Sequence, residues 1–364
     1  MAYRAARRCC FIAVLLAIWC VTPGQASGQR PTDTSETSYH PALSGDFPAQ
    51  PLTIIVPRGA GGGSHQVSSL MANLLKERHG WTVNLVNIPG GAGKDAITYY
   101  MSLPPTGYTI LQHVDDIASL YARDEISVNP TRDLIPLSIV QITFSQLYIR
   151  DRETRFITWH DFMRYVRTHP HQIRIAQVGH HGSMESFMLD MLAQTLDLNI
   201  IKVPFSHPAS RYLSLISGDA DALIEQPGDV SQFLDAHHIR PILTLSKQPQ
   251  HAQKRPDLDM SDVPALPALA ADADDMSHIE LLYDLYRFRG FFVHADVSPS
   301  RLSRLQAAFE DVALSPQFKA INAMTFMLSN SHRDTASAKE LIGDTIDTYK
   351  TLKARLTPGQ ISGD

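Results

Sequence analysis

Cysteine is missing from most of this chain. The 364 residues contain only three cysteines, Cys9, Cys10 and Cys20, all close to the start. Everything after Cys20 therefore has no disulfide, no thiolate metal ligand and no cysteine nucleophile. Disulfide-stapled modules, thiolate zinc sites and thiol enzymes are excluded for that part of the chain.

Motifs of common enzymes and metal proteins are also missing. There is no G-x-S-x-G sequence, so the chain lacks the nucleophile elbow of the α/β hydrolases. No H-E-x-x-H or similar spacing is present, although His65, His113, His180, His181 and His207 fall in loops that can converge. We therefore expect no catalytic residues and no metal. A site built from these histidines stays open as an alternative.

Long apolar runs are absent after the first thirty residues. The run "CCFIAVLLAIWCV" has thirteen residues, and a transmembrane helix needs about 20. It follows the basic segment "MAYRAARR" and precedes the small residues of "TPGQASG". This pattern is typical of a secretory signal peptide. We predict a cleaved signal over 1–26 and a periplasmic location, with an uncleaved anchor as the alternative.

An excess of basic residues is absent as well. Removing Arg4, Arg7 and Arg8 with the signal changes the net charge from −5 to −8. An acidic protein is a poor binder of nucleic acid or anionic membrane, so we expect no nucleic-acid partner. Residues 27–46 are polar and nearly free of large aliphatics, which predicts a flexible leader.

The chain from residue 47 onward alternates strand and helix patterns. Strands are predicted at 52–56, 82–88 and 108–113, with helices between them, the first of which ends at Gly80. The βαβαβ order favours a largely parallel sheet covered by helices.

A second series of the same kind begins near residue 145. It comprises strands at 173–178, 199–203, 221–225 and 239–245, a helix from Met184 that Ser183 can cap, a returning strand at 287–295 and a helical tail. The order predicts two α/β units, the second inserted into the first, with crossings near 144 and 287.

Three glycine-bearing loops follow predicted strands. We call them the first glycine loop (58–65, "RGAGGGSH"), the second glycine loop (89–96, "PGGAGKDA") and the third glycine loop (178–185, "VGHHGSME"). Such loops line the ligand crevice of an open α/β sheet, and helix starts present free amides to anions. The three loops predict one shared anion site, with Ser64 and Ser183 as helix N-caps.

A nucleotide enzyme is one alternative for these loops. The segment 91–96 matches G-x-G-x-x-A, with Asp115 and Asp116 downstream, which resembles a dinucleotide fingerprint. The helix after it is short. A phosphate-binding G-x-x-x-x-G-K loop would need glycine at Ile88 and Ser or Thr at Asp95. The nucleotide interpretation is therefore the weaker one.

Seven ordered segments span about residues 47–350. They include "FPAQPLTIIVPRGAGGGSH", "LVNIPGGAGKDA", "SLPPTGYTILQ", "NPTRDLIPLSIV" and "IIKVPFSHPASRYLSLISGDADALIE". The others are "QVGHHGSMESFMLDML" and "RGFFVHADVSPSRLSRLQAAFEDVALSPQF". Together these segments resemble the Bug-type receptors of tripartite tricarboxylate transporters.

The resemblance implies an α/β, two-lobe, periplasmic-binding-protein-like fold of type II with a ligand cleft between the lobes. Lobe 1 would comprise 47–144 and 288–364, and the inserted lobe 2 would comprise 145–287. It implies a monomeric solute-binding receptor for a small organic acid, without enzyme activity or cofactor. Its other partners would be membrane transporter subunits that it contacts transiently. An orphan or signalling carboxylate sensor is the alternative.

The resemblance also implies the ligand-binding residues. Positions that match the family's loops are Ala60, Gly61, Gly63, Ser64, Gly91, Ala92, Gly93, Gly182 and Ser183. Positions that depart from the family pattern in or near the cleft are Arg58, His65, Lys94, Phe205 and Glu225, and His113 is added as a loop histidine.

These departures predict a more cationic pocket, unless they are drift at exposed loop positions. A bound carboxylate would favour the protonated form of His65, His113, His180 or His181. Affinity would then fall as the pH rises through about 6 to 8.

Overall fold

Two five-stranded sheets organise the fold. The computed structural model describes residues 47–178, 183–205, 207–247, 262–273 and 275–355. The predicted signal peptide (1–26) and leader (27–46) lie outside these residues. All described residues belong to one compact unit.

The elements in chain order follow the predicted alternation. Up to the first crossing they are β1 (Leu52–Val56), α1 (Gly63–His79), β2 (Val83–Asn87), α2 (Lys94–Met101), β3 (Thr109–Val114), α3 (Asp116–Ala122) and β4 (Leu134–Thr143). From there to the second crossing they are β5 (Ser145–Arg150), α4 (Trp159–Thr168), β6 (Ile173–Val178), α5 (Met184–Leu196), β7 (Ile200–Phe205), α6 (Pro208–Ser217), β8 (Ala222–Glu225), α7 (Ser231–Asp235), β9 (Ile239–Leu245) and α8 (Ser277–Glu280). The last elements are β10 (Arg287–His294), α9 (Pro299–Ala313), α10 (Pro316–Met324) and α11 (Thr335–Arg355).

Both sheets have the same plan. The first has the strand order β2-β1-β3-β10-β4 and the second has the order β7-β6-β8-β5-β9. In each, the first three strands are parallel, whereas the fourth is antiparallel to both of its neighbours. The parallel arrangement predicted from the βαβαβ order is confirmed for β1, β2 and β3, whereas the antiparallel fourth strand of each sheet was not predicted. β5 is the strand that follows the crossing from the first sheet, β10 is the strand that returns to it, and each runs against its neighbours.

The chain crosses from the first sheet to the second with little connecting backbone, whereas the return is longer, since β9 ends at Leu245. β4 ends at Thr143 and β5 begins at Ser145, and β10 returns to the first sheet at Arg287. The lobe boundaries of 47–144 with 288–364, and 145–287, stay a proposal. Phe326 is an exception to them, since this fully buried residue packs in the hydrophobic cluster of Tyr148 and Leu223 beside the second sheet.

Apolar packing joins the two lobes. One hydrophobic cluster runs from Ile117 of α3 through Phe187 of α5 to Tyr349 of α11. The rings of Phe187 and Tyr349 meet edge to face with centroids 5.4 Å apart. The start of α5 is thereby held against the first lobe.

Candidate functional site

The first two glycine loops lie at the same edge of the first sheet. They follow β1 and β2, which are adjacent parallel strands. Carboxyl ends of adjacent parallel strands meet at one edge, where open α/β sheets bind their ligands. The side chain of Asn87 ties the loops together, because its Nδ2 donates to the Arg58 carbonyl at 2.7 Å. Its Oδ1 lies 3.1 Å from His65 Nδ1.

The first glycine loop leads into α1 through Gly62, which is the N-cap. The predicted cap, Ser64, is instead the second residue of the helix and is buried. The first intrahelical bond runs from Gln66 N to Gly62 O at 3.0 Å. The amides before it, those of Gly63, Ser64 and His65, have no intrahelical acceptor. These amides are available to bind an anion, and such binding stays a prediction.

The second glycine loop has an unusual backbone. Gly90, Gly91, Ala92 and Gly93 all have positive φ, at 144°, 47°, 59° and 98°. Such a run needs glycine at most positions, since other residues are strained there. Ala92 and Gly93 are buried beneath the loop, whereas Gly91 and Lys94 are exposed.

His113 lies beneath the second glycine loop. Its Nδ1 donates to the Val114 carbonyl at 3.0 Å, and its Nε2 is 3.4 Å from the Gly93 carbonyl. Burial lowers the pKa of His113 to about 4. The imidazole is neutral at neutral pH, so the predicted charge on this histidine is wrong. His113 supports the loop.

The third glycine loop is described from Ser183 onward, and Gly182, His180 and His181 lie outside the described residues. Ser183 caps α5 as predicted, because its hydroxyl accepts from Ser186 N at 3.2 Å. The next amide, Met184 N, donates to Asp116 Oδ1 at 3.3 Å. The start of α5 therefore contacts α3 of the other lobe.

Four arginines and five carboxylates line the region between the lobes. The pairs are Arg58–Asp116, Arg211–Glu225, Arg287 with both Asp115 and Glu185, and Arg289–Asp229. Each of these guanidinium groups has a carboxylate partner. The expectation of a more cationic pocket is therefore not supported by the described residues, since Arg58 is neutralised by Asp116.

Glu225 and Phe205 have structural contacts in the second lobe. The Glu225 carboxylate accepts from Arg211, from the Tyr212 hydroxyl at 2.9 Å and from Gln226 N at 2.9 Å. It is buried. Phe205 is half-buried and packs against the Tyr148 cluster. These contacts account for both side chains without a ligand.

Burial changes the protonation of the carboxylates on Arg287. Burial raises the pKa of Asp115 to about 7, against the opposing effect of Arg287. Burial alone would also raise the pKa of Glu185, but Arg287 and Arg211 together lower it to about 2. Asp115 is therefore the carboxylate of this cluster that changes its protonation near neutral pH.

A cavity of about 200 Å³ opens next to the first glycine loop. It is lined by Gly63, Gln141, Asp229, Arg289 and Met327, among others. Its lining includes no residue of the second glycine loop and none of the described residues of the third. We take the loop cluster as the candidate site because the helix starts and glycine amides converge there. Among the described parts of the chain, no group of three His, Cys, Asp or Glu side chains is placed to hold a metal ion.

Comparison with known proteins identifies the family. The model of the tripartite tricarboxylate transporter family receptor (TctC) matches residues 67–355. The chain belongs to this family. A UPF0065 protein encoded in the tcbD–tcbE intergenic region of Pseudomonas sp. strain P51 is 21% identical over 273 residues, which are 74% of this chain and 76% of that protein. The predicted resemblance is confirmed.

Solved structures show the same fold as this TctC-family chain. A protein from R. palustris with adipate matches with a TM-score of 0.73 and 17% identity, over 85% of this chain and 98% of that one. MatC from Rhodopseudomonas palustris with bound malate matches with a TM-score of 0.68 and 18% identity, over 84% and 99%. The two-lobe α/β prediction is confirmed. The family is one of solute-binding receptors, which also confirms the prediction that the chain is not an enzyme.

Several residues of this receptor's cleft were not foreseen. Arg287, Arg289, Glu185 and Arg211 are buried charged groups within largely apolar elements, and Asp229 lies in the turn between β8 and α7. The alternation "RFRGF" in a strand that is otherwise apolar was a usable signal, because Arg287 and Arg289 occupy the same face of β10. Within the part of the chain that the structure describes, no helix is long and apolar enough to cross a bilayer.

Proposed function

We propose that this chain is a periplasmic solute-binding receptor that captures a small organic acid between its lobes and delivers it to a tripartite tricarboxylate-type membrane transporter. The receptor acts as a monomer and contacts the transporter subunits transiently. The predicted signal peptide supports export. Family membership supports the transport role.

One observation carries the proposal. The α5 start of the second lobe lies against the first lobe at the edge where the first two glycine loops converge. A β-carbon on Gly62 would lie 3.8 Å from Pro208 Cγ at the start of α6, so the lobes are close here too. These contacts support a binding site between the lobes.

The proposed ligand contacts are mainly backbone amides. Those of the first glycine loop come from Ala60, Gly61, Gly63 and Ser64, those of the second from Gly91, Ala92 and Gly93, and those of the third from Gly182 and Ser183. A charge-assisted bond to a carboxylate contributes about 1.5–3 kcal/mol net. Exclusion of water by lobe closure strengthens such bonds. The named relatives with adipate and malate support an organic acid as the ligand class.

Two glycines provide a matched test of the loop. Gly61 and Gly80 both have positive φ, at 85° and 71°, and a β-carbon added to either would have no atom within 4 Å. Replacement by alanine therefore imposes a similar backbone strain at each. Gly80 ends α1, about 25 Å from the loop by the rise of the helix.

The experiment first identifies the bound acid and then measures how much the first glycine loop contributes to its affinity. Native mass spectrometry of receptor purified from its host reveals a retained acid, and calorimetry measures its affinity. We expect Gly61→Ala to weaken binding at least tenfold and Gly80→Ala to leave it within twofold of the wild type. Equal affinities in the two variants contradict the loop assignment. A receptor that binds no organic acid contradicts the function.

A further inference from the structure

The Asp116 carboxylate accepts hydrogen bonds from the same kinds of donors that would hold the carboxylate of a ligand. Its Oδ1 accepts from Met184 N at 3.3 Å, and its Oδ2 accepts from the guanidinium of Arg58. The Asp116 side chain is fully buried, whereas that of Arg58 is 24% exposed. The two donors come from the first glycine loop and from the α5 start, on opposite sides of the cleft.

These two donors are strong anion-binding groups. A guanidinium pairs well with a carboxylate, and the first amides of a helix attract negative charge. The helix is long enough to contribute, since α5 spans thirteen residues. Because Asp116 already engages both donors, a second carboxylate at the same place meets like-charge repulsion.

In the part of the chain that the structure describes, the arginines of this region give no compensating positive charge. Asp115, Glu185, Glu225 and Asp229 lie along the same interlobe region, and each of its four arginines is already paired. A ligand with two carboxylates therefore brings a second negative charge to a wall that has more carboxylates than guanidinium groups.

We propose that Asp116 is a resident carboxylate that fills an anion subsite formed by Arg58 and the Met184 amide, and that it makes the receptor select acids with one carboxylate over dicarboxylates. The subsite follows from the contacts of Asp116 alone. The selection rests on the proposed receptor function. Asp116 is thus a specificity-determining residue of the cleft.

The first test compares acids that differ in one charge. Adipate and succinate are each paired with their own monoamide, and affinities are measured by calorimetry at constant pH and ionic strength. We expect the wild type to bind each monoamide at least tenfold more tightly than its dicarboxylate. Asp116→Asn keeps the shape and removes the charge, so the preference should fall at least tenfold. Asp124→Asn is the control, because its side chain is 89% exposed and its partner is Lys353.

The second test needs no knowledge of the natural ligand. In Asp116→Ala the subsite is empty, so formate should raise the midpoint of thermal unfolding in a saturable way, relative to chloride at equal ionic strength. The wild type should not respond, and Arg58→Met in the same background should abolish the response. If Asp116→Ala does not fold, Asp116→Ser takes its place.

The outcomes separate the two proposals. A wild type that binds dicarboxylates as tightly as monoamides overturns the selection while the receptor function stands. If formate raises the unfolding midpoint of Asp116→Ala no more than that of the wild type, the proposed anion subsite is wrong. If formate rescues the variant but the wild type binds no acid of either series, the resident carboxylate stands and the receptor function fails for these acids.

Discussion

Arg287 donates through Nε to Asp115 Oδ1 at 2.8 Å, and both side chains are buried. The same guanidinium binds Glu185 of α5 through Nη1. One arginine of β10 therefore connects a carboxylate after β3 with a carboxylate of the other lobe. Two carboxylates share one positive charge. The free energy of unfolding therefore depends on whether Asp115 is protonated.

The first prediction follows from that proton. The pKa of Asp115 is about 7 in the folded chain and about 3.9 in an unfolded one. A raised folded pKa contributes stability that is full below the unfolded value and is lost as the pH rises toward 7. Asp115→Asn imitates the protonated form, so its stability relative to the wild type should rise between pH 4 and 7, by about 1.4 kcal/mol for each unit of pKa shift at most.

Urea unfolding at several pH values measures this difference. Asp124→Asn, at an exposed position, should give a curve parallel to the wild type. If the Asp115→Asn curve is parallel as well, the pKa of Asp115 is not raised by folding and this prediction is wrong.

A second prediction concerns Gly63. A β-carbon there would lie 2.4 Å from Arg289 Nη2 and 2.5 Å from Asp229 Oδ1. These two side chains form an ion pair between the lobes at 2.7 Å. Gly63→Ala must displace the pair and should cost about 1–3 kcal/mol in the free energy of unfolding. Gly59→Ala, where nothing lies within 4 Å, should cost under about 0.5 kcal/mol. Similar costs for the two variants would show that Gly63 does not abut the pair.

A third prediction concerns the charge of His113. Its folded pKa is about 4, below the unfolded value of about 6.5. NMR titration should therefore show a neutral imidazole from pH 5 to 8, and ligand affinity should not change in this window through His113. The shift also predicts that stability falls as the pH falls below 6.5, because the unfolded imidazole takes up its proton first. An inflection near pH 6.5 in the folded chain would contradict the buried, neutral assignment.

A fourth prediction compares two serines that the sequence assigns the same role. Ser183 caps α5 through Ser186 N, so Ser183→Ala should cost about 1 kcal/mol of stability. Ser64 is within α1 and does not cap it, so Ser64→Ala should have a much smaller effect. Chemical denaturation of the two variants decides between these roles. Equal losses would restore Ser64 as a helix cap.

Local patterns predicted most of the elements correctly. The strand β1, the helix α1 that ends at Gly80 and the cap of α5 at Ser183 are as expected. Apolar period, glycine stops and capping residues act over a few neighbouring positions, so the sequence carries them directly. The helix α3 was missed, since Asp116 at its start was considered only as the acid of a nucleotide fingerprint. β4 and β5 were not among the predicted strands.

The sequence by itself determined the family, the two α/β series and the three glycine loops. Only the tertiary structure decided which charged side chains of the cleft form ion pairs with one another. Arg58 binds a carboxylate 58 positions away, and Arg287 binds Glu185 at a separation of 102. Such pairs form because the lobes bring distant side chains into a region of low dielectric, where an unpaired charge is costly. Since that requirement depends on burial and distance rather than on neighbours in the chain, no local pattern records it.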